Sequence, residues 1–248
     1  MKIESLKLKN FRNYELLSLE FDKATNIFYG DNAQGKTNIL EAVYLSGTTK
    51  SHRGAKDKDL IRFEQNESHI ETVVEKNGIN YQIDMHLKKN SPKGIAINKM
   101  PIRKASELFG IVNIVFFSPE DLNIIKNGPG ERRRFVDLEL SQLDKVYLSN
   151  LANYNRIVNQ RNHLLKEAAY NSDVLKTLDI WDMQLVHYGN LIIQRRQEFV
   201  EQMNEIISGI HNKLTGGKES IRILYEPSNS YLTLEQALNK NKEKDLRI

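Results

Sequence analysis

The chain runs to 248 residues, 40% hydrophobic and 27% charged, ordinary values for a globular protein with a sizeable core. It has no cysteine, which excludes thiol catalysis, thiolate zinc sites and disulfides and fits a reducing cytoplasm; no apolar run approaches a membrane span, and the first residues form no signal peptide. Thirty-six basic against 32 acidic residues leave a net charge of +4, so a polyanion-binding surface has to come from local clustering.

The first elements alternate. Ile3, Leu6 and Leu8, then Leu17, Leu19 and Phe21, flank the polar turn Asn10-Phe11-Arg12-Asn13 and predict two strands. Residues 25–29 are a short β-prone run that predicts a third, buried strand, after which Ile39, Leu40, Val43 and Tyr44 recur at helical spacing. A second β-rich region spans residues 69–102, with Asn77-Gly78 as a two-residue hairpin signal and residues 88–94 as a polar loop. Residues 112–117, Val-Asn-Ile-Val-Phe-Phe, predict another buried strand. A helix should follow, with Ser118 as its cap, Pro119 at its first position and Glu120 and Asp121 in its first turn.

Beyond Gly130 helical spacing dominates. Leu140, Leu143, Tyr147, Leu151, Tyr154, Val158 and Leu165 form one stripe, and Leu178, Trp181, Leu185, Tyr188, Ile192, Phe199, Met203, Ile206 and Ile210 form another. Asn171-Ser172-Asp173 separates them with N-cap chemistry. The pattern predicts an antiparallel helical arm whose stripes serve mutual packing before any partner. After Gly216-Gly217, residues 221–225 predict a return to strand, followed by a charged helical tail. The expected division is a first lobe with a β-subdomain over 1–130, a helical arm over 131–215, and over 216–248 the start of a return to the first lobe.

The chemistry lies between the predicted strand at 25–29 and the helix after it. Gly30, Asp31, Asn32, Ala33, Gln34, Gly35, Lys36 and Thr37 spell G-x-x-x-x-G-K-T, a full phosphate loop. In this motif glycine-rich backbone turns its N–H groups inward around the α and β phosphates, the lysine reaches the β and γ phosphates, and the terminal hydroxyl takes Mg²⁺. Lys36 and Thr37 fill those last two roles, and the helix dipole adds its own attraction for the anion. The expected cofactors are therefore a nucleoside triphosphate and Mg²⁺. Arg12, in the early β turn, either reaches the nucleotide from the side or pairs with a carboxylate.

A phosphate loop alone does not define a reaction. Hydrolysis also needs a strand ending in Asp or Asp-Glu to hold Mg²⁺ and position water. Residues 112–117 lead into Ser118-Pro119 instead, and Ile223-Leu224-Tyr225-Glu226 is a poor substitute. Leu45-Ser46-Gly47 has the letters of a transporter-type signature, but at the end of the loop's helix Gly47 reads as a C-terminal cap.

Three basic clusters have two readings each. Arg132, Arg133 and Arg134 are a solvated helix face or a phosphate contact, and three adjacent arginines cannot share one face, so at least one serves structure. Lys88, Lys89, Lys93, Lys99, Arg103 and Lys104 bind a nucleic-acid backbone if they converge and are plain surface otherwise. Lys50-Ser51-His52-Arg53 is a small group placed to sense a nucleotide or DNA.

Phe11-Arg12-Asn13-Tyr14, the phosphate loop, Lys50-Ser51-His52-Arg53, Phe117-Ser118-Pro119-Glu120-Asp121-Leu122, Gly128-Pro129, Arg132-Arg133-Arg134-Phe135 and Arg161-Asn162-His163-Leu164-Leu165 together resemble the RecF family of bacterial DNA replication and repair proteins, in order and spacing across the chain. The resemblance implies an α/β P-loop NTPase of the ABC/SMC-type ATPase head, with a β-subdomain and a long helical-hairpin lobe. It implies ATP-dependent binding to single- and double-stranded DNA at gaps or junctions. It also implies dimerisation with nucleotide between two heads, RecO- and RecR-type partners in recombinase loading, and support of the SOS response. An arginine at the position of Arg12 approaches the nucleotide in related heads. Family members continue past residue 248, and that part is expected to carry the signature motif and the acidic strand. The complete protein is then a slow ATPase, and this chain a nucleotide binder without useful turnover. Against this stand a transporter-type ATPase subunit, which lacks its glutamine after residues 112–117 here, and a non-enzymatic scaffold whose phosphate loop is only structural.

Overall fold

Alternating side chains need a partner on each edge and a core on one face, and the N-terminal segments find both in one six-stranded antiparallel sheet. The computed structural model describes residues 1–168, 170–227 and 232–246, without the side chains of Glu120 and Ser172, so the capping roles expected of those two lie outside the described residues. The strands are β1 (Lys2–Phe11), β2 (Tyr14–Glu20), β3 (Glu67–Lys76), β4 (Ile79–Lys88), β5 (Ser91–Ile97) and β6 (Met100–Pro101), in the order β2-β1-β3-β4-β5-β6. The pleat sends Leu6, Leu8, Ile70, Val74, Ile83, Met85 and Leu87 into the core. Residues between them, such as Lys7, Glu71 and Asp84, fall in register on the other face. Asn77 and Gly78 take positive φ values of 54° and 79°, as the tight hairpin turn between β3 and β4 demands. The polar loop expected over 88–94 shrinks to a turn at Lys89 and Asn90, because Ser91 already pairs with Lys88.

Helix α1 (Lys36–Thr48) lies against the buried face of this sheet through Ala42 and Leu45. A hydroxyl pair, Ser46 Oγ to Thr72 Oγ1 at 2.7 Å, ties it to β3. Its C-terminus is closed by Thr49, which adopts a left-handed φ of 63° and donates its N–H to the Leu45 carbonyl. Gly47 is therefore not the cap expected from the sequence. It sits inside the last turn, where a Cβ would come within 2.5 Å of Ile114 Cδ1, so its role is close packing.

Three expected strands carry no ladder. Residues 25–29 turn only Phe28 inward, edge-to-face on Phe21 at 6.2 Å, while Tyr29 is 92% exposed. Residues 112–117 make one isolated bridge, Phe109 to Val112, and leave Val115 90% exposed. Residues 221–225 likewise have no strand partner. The physical reason is that a lone strand has nothing to satisfy its backbone, whatever its β propensity. In two of the three an amide side chain stands in for the neighbour. Gln142 accepts from the Ile114 N–H at 2.7 Å and donates to the Ile114 carbonyl at 3.1 Å, and Asn204 does the same for Ile223 at 2.8 Å in both directions.

The segment after Phe117 also differs from its expected form. Residues Pro119–Leu122 make a 3₁₀ turn and not the start of a long helix. Asp121 accepts from the Ser118 N–H at 2.5 Å, so the turn is closed by a carboxylate reaching back to the amide that precedes it. Short helices α2 (Asp57–Leu60) and α3 (Asn123–Lys126) precede α4 (Pro129–Leu143), which starts with Pro at its first position.

The chain divides into two compact units, Met1–Lys145 and Val146–Ile248. The second is built from α5 (Lys145–Glu167), α6 (Leu178–Thr215) and α7 (Leu234–Asp245). At 38 residues α6 is about 57 Å long at 1.5 Å per residue. Buried Arg161 on α5 joins the three helices, meeting Asp182 at 2.5 Å and Asp245 at 2.9 Å. Gly189 lets α7 approach: a Cβ there would lie 2.3 Å from Leu234 Cδ2 and 3.3 Å from the Tyr154 ring. Replacing Gly189 by alanine should loosen α7. The added methyl costs about 1–3 kcal/mol of overpacking, partly offset by about 1 kcal/mol of better helix propensity. Faster amide exchange confined to α7 is the expected reading, and unchanged exchange would show that Leu234 yields freely.

Candidate phosphate-binding site

The loop at residues 30–37 has the backbone its sequence demands. Gly30, Ala33 and Gly35 take φ values of 135°, 64° and 97°, and Gly35 is the left-handed residue from which α1 opens. Lys36 folds back over the loop and donates from Nζ to the carbonyls of Gly30 at 2.8 Å and Asp31 at 2.6 Å. Its ammonium thus spans the concavity and has a third N–H left to donate. No side chain caps the start of α1 and no acidic residue lies in its first turn, so the helix dipole and the leading N–H groups are left for an anion. Asp31, Asn32, Ala33 and Gln34 are exposed along the rim, and Thr37 stands exposed on the first turn beside Lys36.

This donor set fits a phosphate chain. It fits Mg²⁺ only as a companion of that chain. Thr37 offers one hydroxyl, and among the described residues no group of three or more histidines or carboxylates is arranged to hold a metal alone. Mg²⁺ takes its remaining ligands from phosphate oxygens and water in such sites.

Arg12 adopts the carboxylate-pairing alternative. At a positive φ of 53° in the β1–β2 turn, it sends Nε and Nη2 to the two oxygens of Glu41, each at 2.8 Å, and Nη1 to the Asp59 carbonyl at 3.0 Å. Glu41 is 0% exposed. Its carboxylate also accepts from Ser51 Oγ at 2.5 Å and faces Arg53 at 3.9 Å. Burial alone would raise the Glu41 pKa. The hydrogen bonds from Arg12 and Ser51, with the charges of Arg12 and Arg53, outweigh that and hold the carboxyl below its ordinary range.

The basic clusters resolve differently from one another. In the Lys50-Ser51-His52-Arg53 group, Ser51 and Arg53 turn toward Glu41, and the His52 ring stacks on Phe116 at 4.2 Å. Arg132 donates to the carbonyls of Ile124 and Asn127, both at 3.0 Å, closing the end of α3, while Arg133 and Arg134 are exposed. Within the basic run of the β-region, Lys88 and Lys89 do not converge with Lys99. Lys88 and Lys89 lie at one end of β5 and Lys99 at the other, about 20 Å away at 3.3 Å per residue. Lys93 turns inward to Asp57 at 2.8 Å and to the Thr49 carbonyl.

Sequence reasoning missed Glu41 and Asn38 and the roles of Asn13 and Tyr14. Asn13 Nδ2 and Tyr14 Oη both donate to the Gln34 carbonyl at 3.3 Å, and Asn38 Nδ2 donates to Asn13 Oδ1 at 2.8 Å. One signal was available: Glu41 lies on the same helical face as Leu45 and Thr48, a carboxylate on an apolar stripe that requires a cationic partner.

A helix opening from a left-handed glycine, with its lysine bridging the loop, set on a sheet within an α/β unit, defines a P-loop NTPase fold. Residues 5–246 match the family model of an AAA domain. The chain belongs to the RecF family. It is 63% identical over 248 residues to the DNA replication and repair protein RecF of Agathobacter rectalis, covering 100% of this chain and 68% of that protein. The protein of the same name from Clostridium botulinum is 44% identical over 251 residues, covering 99% and 68%. A solved structure of the recombination mediator protein RecF with ATP, in the RecFOR pathway, matches with a TM-score of 0.90 at 31% identity, over 99% of this chain and 68% of that one.

Proposed function

We propose that this chain binds ATP with Mg²⁺ through Gly30, Asp31, Asn32, Ala33, Gln34, Gly35, Lys36 and Thr37, and that the bound nucleotide gates its action on DNA in replication and recombinational repair. The observation that carries this reading is the Lys36 ammonium bridging the loop at the uncapped start of α1. The names of the relatives, DNA replication and repair protein RecF and a recombination mediator with ATP, support it. Thr37 is the protein ligand for Mg²⁺. Arg12 serves the site by fixing the β1–β2 turn, and its uncommitted N–H groups are the ones a direct nucleotide contact would use. In this reading two heads close on nucleotide as a homodimer clamp on gapped or junction DNA, with RecO- and RecR-type proteins as partners, in the cytoplasm. No helix among the described residues is long and apolar enough to cross a membrane.

Equilibrium titration with ATP, with and without Mg²⁺, tests the first part; a folded chain that ignores ATP sinks it. For the second, DNA affinity should rise with ATP and fall steeply with salt, by a slope of about −0.9 in log–log form for each duplex phosphate neutralised. Salt-independent affinity would leave no place for phosphate contacts. Turnover by the 248-residue chain is expected to stay at background, because no apolar strand in it ends in the required acidic pair. Mg²⁺-dependent hydrolysis that disappears in Lys36→Ala would overturn that expectation.

A further inference from the structure

The β1–β2 turn touches the phosphate loop at one peptide, Gln34–Gly35. We propose that Asn13 and Tyr14 are positioning residues that hold this peptide in orientation and so aim the Gly35 N–H at bound phosphate; the proposal rests on the nucleotide-binding reading above. A trans peptide is planar, with its C=O and N–H pointing in opposite directions. Both Asn13 Nδ2 and Tyr14 Oη donate to the Gln34 carbonyl, at 3.3 Å each. Tying that carbonyl to the turn directs the Gly35 N–H away from the turn, toward the concavity that Lys36 spans.

The contact is close enough to be specific. A Cβ on Gly35 would lie 2.6 Å from the Asn13 amide and 2.7 Å from the Tyr14 hydroxyl, so only bare backbone fits beneath the turn. The donors run in one direction. Arg53 donates to Asn38 Oδ1 at 3.4 Å, Asn38 Nδ2 donates to Asn13 Oδ1 at 2.8 Å, and this leaves Asn13 Nδ2 to donate to Gln34. Burial pushes the Tyr14 hydroxyl up from its ordinary pKa, which keeps its proton available as a donor at neutral pH. Arg12, next in the chain, fastens the same turn to α1 through Glu41. The turn is thus fixed at its base and presents two donors to one carbonyl.

The test titrates the purified chain and its variants with Mg²⁺-ATP, and follows the Gly35 amide resonance by ¹H–¹⁵N spectroscopy with thermal unfolding as a control. Tyr14→Phe and Asn13→Ala should each weaken ATP about three- to tenfold, the equivalent of one neutral hydrogen bond, and shrink the ATP-induced shift of the Gly35 signal. Asn13→Asp keeps shape and the bond from Asn38 but sets an acceptor against the Gln34 carbonyl, so it should displace the Gly35 amide signal of the ATP-free protein more than Asn13→Ala does, a readout taken without ATP so that the added charge cannot act through repulsion of phosphate. A packing role would rank these two the other way or equally, and that ranking overturns the proposal. If Lys36→Ala loses ATP while Asn13 and Tyr14 variants bind like wild type, the positioning role falls and the nucleotide site stands. Wild-type protein that binds no ATP removes both.

Discussion

Lys36→Ala is expected to weaken ATP roughly ten- to a hundredfold, the range for losing a hydrogen bond to a charged group. Two contributions add. The ammonium is the one cation that the loop itself places at its mouth, and it also closes the loop by bonding the Gly30 and Asp31 carbonyls. Alanine removes the attraction for phosphate and frees two carbonyls whose negative ends then face the anion. Lys36→Arg should recover little, because a planar fork cannot reproduce a compact ammonium inside a tight loop. Thr37→Ala separates the metal from the lysine: it should reduce affinity with Mg²⁺ present and leave affinity in a chelator unchanged. Isothermal titration of the three variants checks the pattern, and unfolding midpoints near wild type show that the fold is kept. Equal ATP affinity in wild type and Lys36→Ala would mean that the loop serves structure alone.

Local pattern made part of this fold legible. Alternation at Ile3, Leu6 and Leu8 and the Asn77-Gly78 turn predict strands that the sheet contains, because their partners lie nearby in sequence. The eight letters of the phosphate loop fix a backbone geometry, and the positive φ values at Gly30 and Gly35 follow from it. What failed is nonlocal. Residues 25–29, 112–117 and 221–225 have strand composition, yet a ladder needs a neighbour, and the amides of Gln142 and Asn204 take that place for two of them. No window of sequence pairs Gln142 with Ile114. The lysines between 88 and 104 show the same limit from the other side. They are neighbours in the chain, but β5 separates Lys88 and Lys89 from Lys99, and an ion pair turns Lys93 inward. In the site, letters identified the groups that meet phosphate and missed the role of those that hold the loop: Asn13 and Tyr14 stand in a motif of the family, but their contacts to the Gln34 carbonyl, and that of Asn38 to Asn13, cannot be read from it.

Glu41→Ala should destabilise the chain by about 3 kcal/mol, the low end for removing one partner of a buried ion pair. The carboxylate is wholly buried and accepts three hydrogen bonds, two from Arg12 and one from Ser51. Alanine leaves the Arg12 guanidinium without its counter-charge and the Ser51 hydroxyl without its acceptor. The pH dependence gives an independent check. Because the folded carboxyl titrates below its ordinary range, the unfolded chain takes up the proton first as pH falls. The contribution of Glu41 is therefore complete above an unfolded value of about 4.3 and is lost as the pH drops from there through the lowered folded value. The stability gap between wild type and Glu41→Ala should be constant near neutrality and narrow in acid, as urea unfolding at a series of pH values would show. Glu41→Gln should sit between them, keeping an acceptor for Ser51 while losing the charge that faces Arg12 and Arg53. If the Arg12→Ala and Glu41→Ala costs simply add in the double variant, the two side chains are not acting as a pair. A large coupling instead ties α1 to the β1–β2 turn, so that the stability of the fold and the placement of the phosphate loop rest on one buried carboxylate.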